Sequence, residues 1–268
     1  MSDPVPLFTT RWPAAEPRAT VVVVHGFGEH IGRYERLGRA LAKAGFYTIG
    51  FDLRGHGRSG GVRGDAPAYR AFAEDLRGVV RRAREERPGL PLFLFGHSFG
   101  GGLVLHYALD SGPGELNGVV ATGPYLKLAF TPPAWKVAIG RVLGKLYPAL
   151  RLPTELNEAW LSHDPQVGRD YRGDPLVHSV ISARLFFDME TANARTLEQA
   201  GRMRLPLLVL HGGEDRITDA AAAERFVERA ASADKRYSRI PGMYHEVLNE
   251  IGAGPVYDEI IGWLRQRA

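Results

Sequence analysis

Apolar residues along this chain fall into two alternating rhythms. Short unbroken runs such as Val21-Val22-Val23-Val24 and Leu92-Phe93-Leu94-Phe95 are too brief for helices and lack polar alternation. That is the pattern of strands buried on both faces. Between the runs, apolar residues recur at intervals of three and four, as in Tyr34, Leu37, Leu41 and Ala44, then Phe72, Leu76, Val79, Val80 and Ala83. The pattern predicts strands over 21–24, 47–51, 92–95, 119–121, 207–210 and 236–240. It predicts helices over 34–44 (closed by Gly45), 72–83, the stretch after residue 98, 220–231, and a last one holding Val256, Ile260 and Leu264. Pro206 precedes its strand, where a missing N–H is tolerated. Strands alternating with helices of this length imply an α/β fold, a mostly parallel sheet with helices on both faces.

The rhythm breaks between Pro124 and about Ala194, where no convincing strand is found. Trp135, Ala138, Ile139, Val142, Leu143 and Leu146 share one helical stripe. Trp160 and Leu161 follow, then Val180, Ile181, Leu185, Phe186 and Met189, with Pro132, Pro133, Pro148 and Pro153 as punctuation. We read residues 1–123 and 195–268 as a core and 124–194 as an inserted helical cap. Part of each stripe must pack on the core, and the rest can line a pocket.

Composition narrows the function. The chain's 268 residues fit one large domain with an insertion, and 44% hydrophobic content suffices for a sizeable core. The net charge of +4 does not form a nucleic-acid stripe, because the arginine-rich stretch over 77–87 also carries Glu85 and Glu86 and has the spacing of an amphipathic helix. No nucleic-acid partner is expected. The absence of cysteine excludes disulfides, thiolate catalysis and cysteine-held metals. Met1-Ser2-Asp3-Pro4-Val5-Pro6 has no charged-then-apolar leader pattern, and no apolar stretch reaches about 18 residues, so a cytoplasmic location is the default expectation. Only five of the 34 basic residues are lysine, a bias that either a hot habitat or a GC-rich genome produces.

The candidate chemistry starts at Gly96-His97-Ser98-Phe99-Gly100, between the strand at 92–95 and a helix rich in small residues. G-x-S-x-G also arises by chance among 32 glycines, but a strand before it and a helix after it place the serine on a sharp, strained turn. A serine hydroxyl needs a base, and the base needs an acid to orient it. On such a sheet the expected order is serine, acid, histidine. Asp215 follows the strand at 207–210, and His245 follows the strand at 236–240. Among nine histidines only His245 combines that order with a loop after the last strand. His211 precedes the acid, His97 sits within the turn, His106 falls on the next helix, and His163 and His178 lie in the insertion. Asp215 is favoured over Asp219, which looks like the N-cap of the helix at 220, and over Glu214. The backbone N–H groups of Phe99 and Phe27 are the expected oxyanion donors, Phe27 lying in His25-Gly26-Phe27-Gly28-Glu29-His30 after the first buried strand.

On these residues the chain resembles the monoglyceride lipase and lysophospholipase branch of the serine α/β-hydrolases. The likeness includes the loop from His25 to His30 with Gly32-Arg33-Tyr34, and Asp52-Leu53-Arg54-Gly55-His56-Gly57-Arg58-Ser59. It also takes in the Ser98 turn, the Asp215 and His245 loops, and Asp174-Pro175-Leu176. The resemblance implies an α/β-hydrolase fold and hydrolysis of a small-molecule lipid ester through an acyl-enzyme, most simply monoacylglycerol to fatty acid and glycerol, with no cofactor and no metal. It places Glu29, Arg33 and Tyr171 near a polar head-group pocket and gives Asp52 a bracing role. Phe99 stands where methionine is usual, Leu248 where a second head-group histidine is found, and the N-terminal strand looks shortened. General carboxylesterase or lysophospholipase activity, acyl transfer and a non-catalytic scaffold remain alternatives, and oligomeric state and peripheral membrane contact through the cap stay open.

Overall fold

The buried runs do become strands, and the periodic segments between them become helices. A computed structural model describes residues 5–111, 114–154 and 156–268; Met1 to Pro4, part of the segment read for a leader, lie outside them. The strands are β1 (Thr9–Trp12), β2 (Ala19–Val24), β3 (Phe46–Phe51), β4 (Leu92–His97), β5 (Gly118–Thr122), β6 (Arg151–Pro153), β7 (Val180–Ser182), β8 (Leu207–Gly212) and β9 (Lys235–Ile240). The helices are α1 (Glu35–Lys43), α2 (Tyr69–Glu86), α3 (Phe99–Asp110), α4 (Ala134–Leu146), α5 (Pro165–Gly173), α6 (Ala183–Glu198), α7 (Ala220–Arg229) and α8 (Gly254–Arg265).

Seven strands form one sheet in the order β1-β3-β2-β4-β5-β8-β9. Only β1 runs antiparallel to its neighbour. Successive residues of β2 serve opposite faces, Val22 and Val24 packing with α2 and α3, Val21 and Val23 with α1 and α8. A strand buried on both faces cannot alternate with polar residues, which explains the unbroken runs. The parallel register (Val22 beside Leu94, Phe95 beside Val120, Val120 beside Leu208) brings the C-terminal ends of β2, β4, β5, β8 and β9 to one edge. Every candidate reactive residue follows one of those ends.

Between β5 and β8 the structure corrects the expectation of a strand-free stretch. Arg151–Pro153 and Val180–Ser182 pair as an antiparallel ribbon, with Leu152 opposite Ile181. Three-residue strands are too short to establish a period of two, and Pro153 argues against one by rule. The stripe on α4 also behaves differently from a core-facing surface. Trp135 and Leu146 are 63% and 67% exposed, and Ile139 and Val142 are exposed with them, so that face looks outward. Polar contacts fasten the segment between β5 and β8 to the loops after β2 and β3. Asp65 accepts from Ser182 Oγ at 2.6 Å and pairs with Arg184, while His178 N–H donates to Gly28 O at 2.8 Å.

Candidate active site

The turn between β4 and α3 carries the one strained non-glycine residue among those described: Ser98 has φ +53° and ψ −118°. Such a backbone costs roughly 1–3 kcal/mol and persists only where its surroundings over-determine it. Here they do. Ser98 N–H donates to Thr122 O at 2.9 Å, and Ser98 O accepts from Tyr125 N–H at 2.8 Å and Gly102 N–H at 2.9 Å. The flanking glycines are required by close approach: a Cβ on Gly96 would lie 2.3 Å from Gly100 O, and one on Gly100 would lie 2.4 Å from the carbonyl oxygens of Val24 and His25. His97 turns inward with its Nδ1 against Thr122, and burial with neighbouring His245 lowers its pKa to about 4.

The loops after β8 and β9 bring Asp215 and His245 together. His245 Nδ1 donates to Asp215 Oδ2 at 2.7 Å. Asp215 Oδ1 accepts the N–H groups of Ile217 at 2.8 Å and Thr218 at 3.0 Å, and Thr218 Oγ1 lies 2.8 Å from Oδ2. The Asp215 carboxylate is wholly buried, with His211 Nε2 at 3.0 Å from the same oxygen. Burial opposes its ionisation, yet His245 and His211 outweigh that and hold it far below the usual carboxylate range. Burial also opposes a charged His245, and Asp215 reverses the balance, so the imidazole's pKa is raised. The rivals sit elsewhere. Asp219 caps α7 by accepting Ala222 N–H, and Glu214 is exposed. Chain order set His211 aside; its signal was a histidine directly after the apolar run of β8, four residues before Asp215.

Phe27 and Phe99 meet edge-to-face with centroids 5.8 Å apart, so the two loops expected to supply oxyanion donors are in contact. Phe99 N–H opens α3, where no intrahelical acceptor exists. The loop before Phe27 is tied from both sides. His25 Nε2 accepts Leu53 N–H at 2.9 Å, leaving Nδ1–H for Gly26 O at 2.7 Å. Glu29 Oε1 accepts Gly26 N–H at 2.6 Å and Tyr34 O–H at 2.7 Å. Asp52 braces the next loops by accepting the N–H groups of Ile31 and Arg58, each at 2.7 Å.

Arg33 is almost enclosed. Its guanidinium bonds Glu29 at 2.5 Å and Glu246 at 2.7 and 2.9 Å, with the Tyr171 ring 5.0 Å away. Burial acts against all this charge, but Arg33 holds the Glu29 carboxyl down to about 2, and the two carboxylates raise the guanidinium pKa. Glu250 organises the other side of the histidine loop, accepting Tyr244 N–H at 2.7 Å and His163 Nδ1 at 2.9 Å. Neither Glu246 nor Glu250 was singled out from the sequence, where each is one acid among thirty.

Ser98, Phe27, Phe99 and His245 line one cavity of about 340 Å³. Much of its lining is apolar, including Phe130, Val137, Leu152, Ile181, Phe186, Phe187 and Met189, while Glu29, Tyr171, His178 and Glu246 give it a polar end. Arg33 does not line it, and among the described lining residues there is no lysine or arginine.

A serine on a strand-to-helix elbow, above a seven-stranded, mostly parallel sheet, defines a serine α/β-hydrolase. The family model Hydrolase_4, described as serine aminopeptidase, S33, matches residues 15–252, and the chain belongs to that family, in its monoglyceride lipase branch. A monoacylglycerol lipase of Mycolicibacterium smegmatis is 37% identical over 254 residues, covering 94% of this chain and 90% of that protein. Monoglyceride lipase of Homo sapiens is 34% identical over 268 residues, covering 97% and 87% respectively. The crystal structure of Paleococcus ferrophilus monoacylglycerol lipase superposes with a TM-score of 0.89 at 34% identity, over 98% of this chain and 99% of that one.

Proposed function

We propose that the protein hydrolyses single-chain acyl esters, monoacylglycerols foremost, with Ser98 as nucleophile, His245 as base and Asp215 as the residue that orients it. One observation carries the reading: the strained Ser98 and the Asp215-bonded His245 open into one apolar cavity with a polar end. With Nδ1 bonded to Asp215, His245 Nε2 is left to take the Ser98 proton. Ser98 Oγ attacks the ester carbonyl, and the N–H groups of Phe27 and Phe99 receive the oxyanion. The protonated imidazole then hands its proton to the departing alcohol. Water, activated by the same nitrogen, releases the fatty acid and restores the serine.

The polar end favours glycerol over charged head groups. No described lining residue offers a cation to a phosphodiester, and Glu29 and Glu246 are engaged by Arg33 instead of standing free for an amino terminus. Residues 124–194 act as a cap whose inner side holds the acyl chain. Phe130 and Leu152 both line the cavity and are partly exposed, and Val137 and Gly140 line it from α4, the helix that carries the outward stripe of Trp135, Ile139, Val142 and Leu146. That apolar face suits a lipid surface presenting the substrate. No helix among the described residues is long and apolar enough to cross a membrane. A serine-reactive fluorophosphonate labels Ser98, and Ser98→Ala abolishes both labelling and turnover of monoacylglycerol; a variant that keeps its activity refutes the mechanism.

A further inference from the structure

We propose that Glu246 is a positioning residue: through Arg33 and Glu29 it locks the loop bearing His245 to the loop bearing the Phe27 N–H, so that Arg33 serves loop geometry and not alcohol binding. The inference rests on the assignment of Ser98 and His245 above. The chain of contacts is continuous. Glu246, next to His245, takes both guanidinium nitrogens of Arg33 in a bidentate pair at 2.7 and 2.9 Å. Arg33 bonds Glu29 at 2.5 Å, and Glu29 accepts the N–H of Gly26, whose residue immediately precedes Phe27. The Gly26 Cα also packs beside Ser98, since a Cβ built there would lie 3.3 Å from Ser98 Cβ.

Geometry argues for positioning and against head-group recognition. Three of the five N–H donors of the Arg33 fork are bonded to carboxylates, and Arg33 does not line the cavity. Glu246 Oε2 also accepts from Asn249 Nδ2 at 2.8 Å, which adds a further tie to the clamp. A buried carboxylate–guanidinium–carboxylate bridge is a weak source of net stability but a strong source of register. Register is what an oxyanion donor and a base on separate loops require, because a displacement near 1 Å can cost about 100-fold in rate. The cluster carries a net negative charge close to His245, whose other neighbours are Asp215, with His211 behind it, and the His97 ring at 4.7 Å. Burial disfavours the imidazolium, while Asp215, Glu246 and Glu29 favour it.

The test uses the full chain with Glu246→Ala and Glu246→Gln, assayed on a monoacylglycerol and on the 4-nitrophenyl ester of the same acid, whose leaving group has no aliphatic hydroxyls. Fluorophosphonate inactivation rates and melting temperatures are recorded alongside. Glu246→Ala should lower kcat on both esters and the inactivation rate together, by roughly 10- to 100-fold, with KM for the monoacylglycerol within about 2-fold of wild type. Glu246→Gln keeps one acceptor for Arg33 and should recover part of kcat. Its acidic pH limb should move down, because a charge that favours the imidazolium is gone. A rise in KM confined to the monoacylglycerol would overturn the proposal in favour of alcohol binding. So would unchanged kcat in a variant whose melting temperature falls, which is the signature of a merely structural role. A wild-type enzyme that cleaves the aryl ester at Ser98 but not the monoacylglycerol overturns the substrate reading alone, and the aryl ester still tests the clamp.

Discussion

Replacing Asp215 by Asn changes one atom and sets two hydrogen-bond requirements against each other. Oδ1 accepts two backbone N–H groups, from Ile217 and Thr218, while Oδ2 faces His245 Nδ1 and His211 Nε2. An asparagine that keeps its oxygen on the backbone donors aims its NH₂ at His245. Nδ1 must then accept, the ring proton moves to Nε2, and the nitrogen that should take the Ser98 proton is already protonated. An asparagine flipped the other way restores the tautomer but turns its NH₂ against two N–H donors, at about 1–3 kcal/mol for each buried donor left without an acceptor. The first orientation is therefore favoured, and the loss expected of a wrong tautomer is roughly 10³- to 10⁴-fold in kcat, about 4–5.5 kcal/mol of transition-state stabilisation. The assay is kcat on a short 4-nitrophenyl ester, with the fluorophosphonate rate as an independent measure of Ser98 reactivity. Asp215→Asn retaining more than about a tenth of wild-type kcat, well outside that range, would refute the reasoning and shift the orienting role to another carboxylate.

Two further outcomes follow from other parts of the fold. A Cβ on Gly140 would lie 3.5 Å from the Phe187 ring, so Gly140→Leu fits on α4 but projects into the cavity. Displacing two methylenes of a long acyl chain at about 0.8 kcal/mol each should lower kcat/KM for long-chain esters roughly 15-fold and leave butanoyl esters nearly unchanged; an equal fall on both refutes the cap's role in chain length. Buried histidines make stability pH-dependent. His97 and His178 have pKa values lowered to about 4 from 6.5, chiefly by burial, so between those values the unfolded chain binds more protons than the folded one. Their contribution is complete above about pH 6.5 and is lost as pH falls toward 4, by up to about 3 kcal/mol each. Urea midpoints measured from pH 7.5 to 4.5 should fall accordingly, and a flat series would contradict the assignment.

Legibility followed burial and periodicity. The central strands announced themselves because both faces are covered, and Ser98 because a glycine-flanked turn between strand and helix has few sequence solutions. β9 was readable despite its lysine and arginines, which suit an edge strand whose residues are exposed or half-buried. β1 was not called from its own residues: four residues, antiparallel at the opposite edge, give no run and no period. The α4 stripe shows the limit of periodicity. It marks an apolar face but not what covers it, and here Trp135, Ile139, Val142 and Leu146 are exposed.

Long-range polar pairing was the least legible part, and it governs the site. Arg33 and Glu246 are 213 positions apart, and His163 and Glu250 are 87 apart, so no local pattern links them. Both carboxylates act on the same loop. The loop bearing His245 follows an edge strand, and its own N–H groups are received by the insertion, Glu246 N–H donating to Leu161 O at 2.8 Å. Parallel-sheet geometry places Ser98 and Asp215, the proposed nucleophile and acid, after the ends of interior strands β4 and β8, each flanked on both sides. The proposed base, His245, lacks that support, because β9 has a neighbour on one side only. Glu250 toward the segment between β5 and β8, and Glu246 toward Arg33, supply what the missing strand would have provided, which accounts for two buried acids beside the proposed base His245.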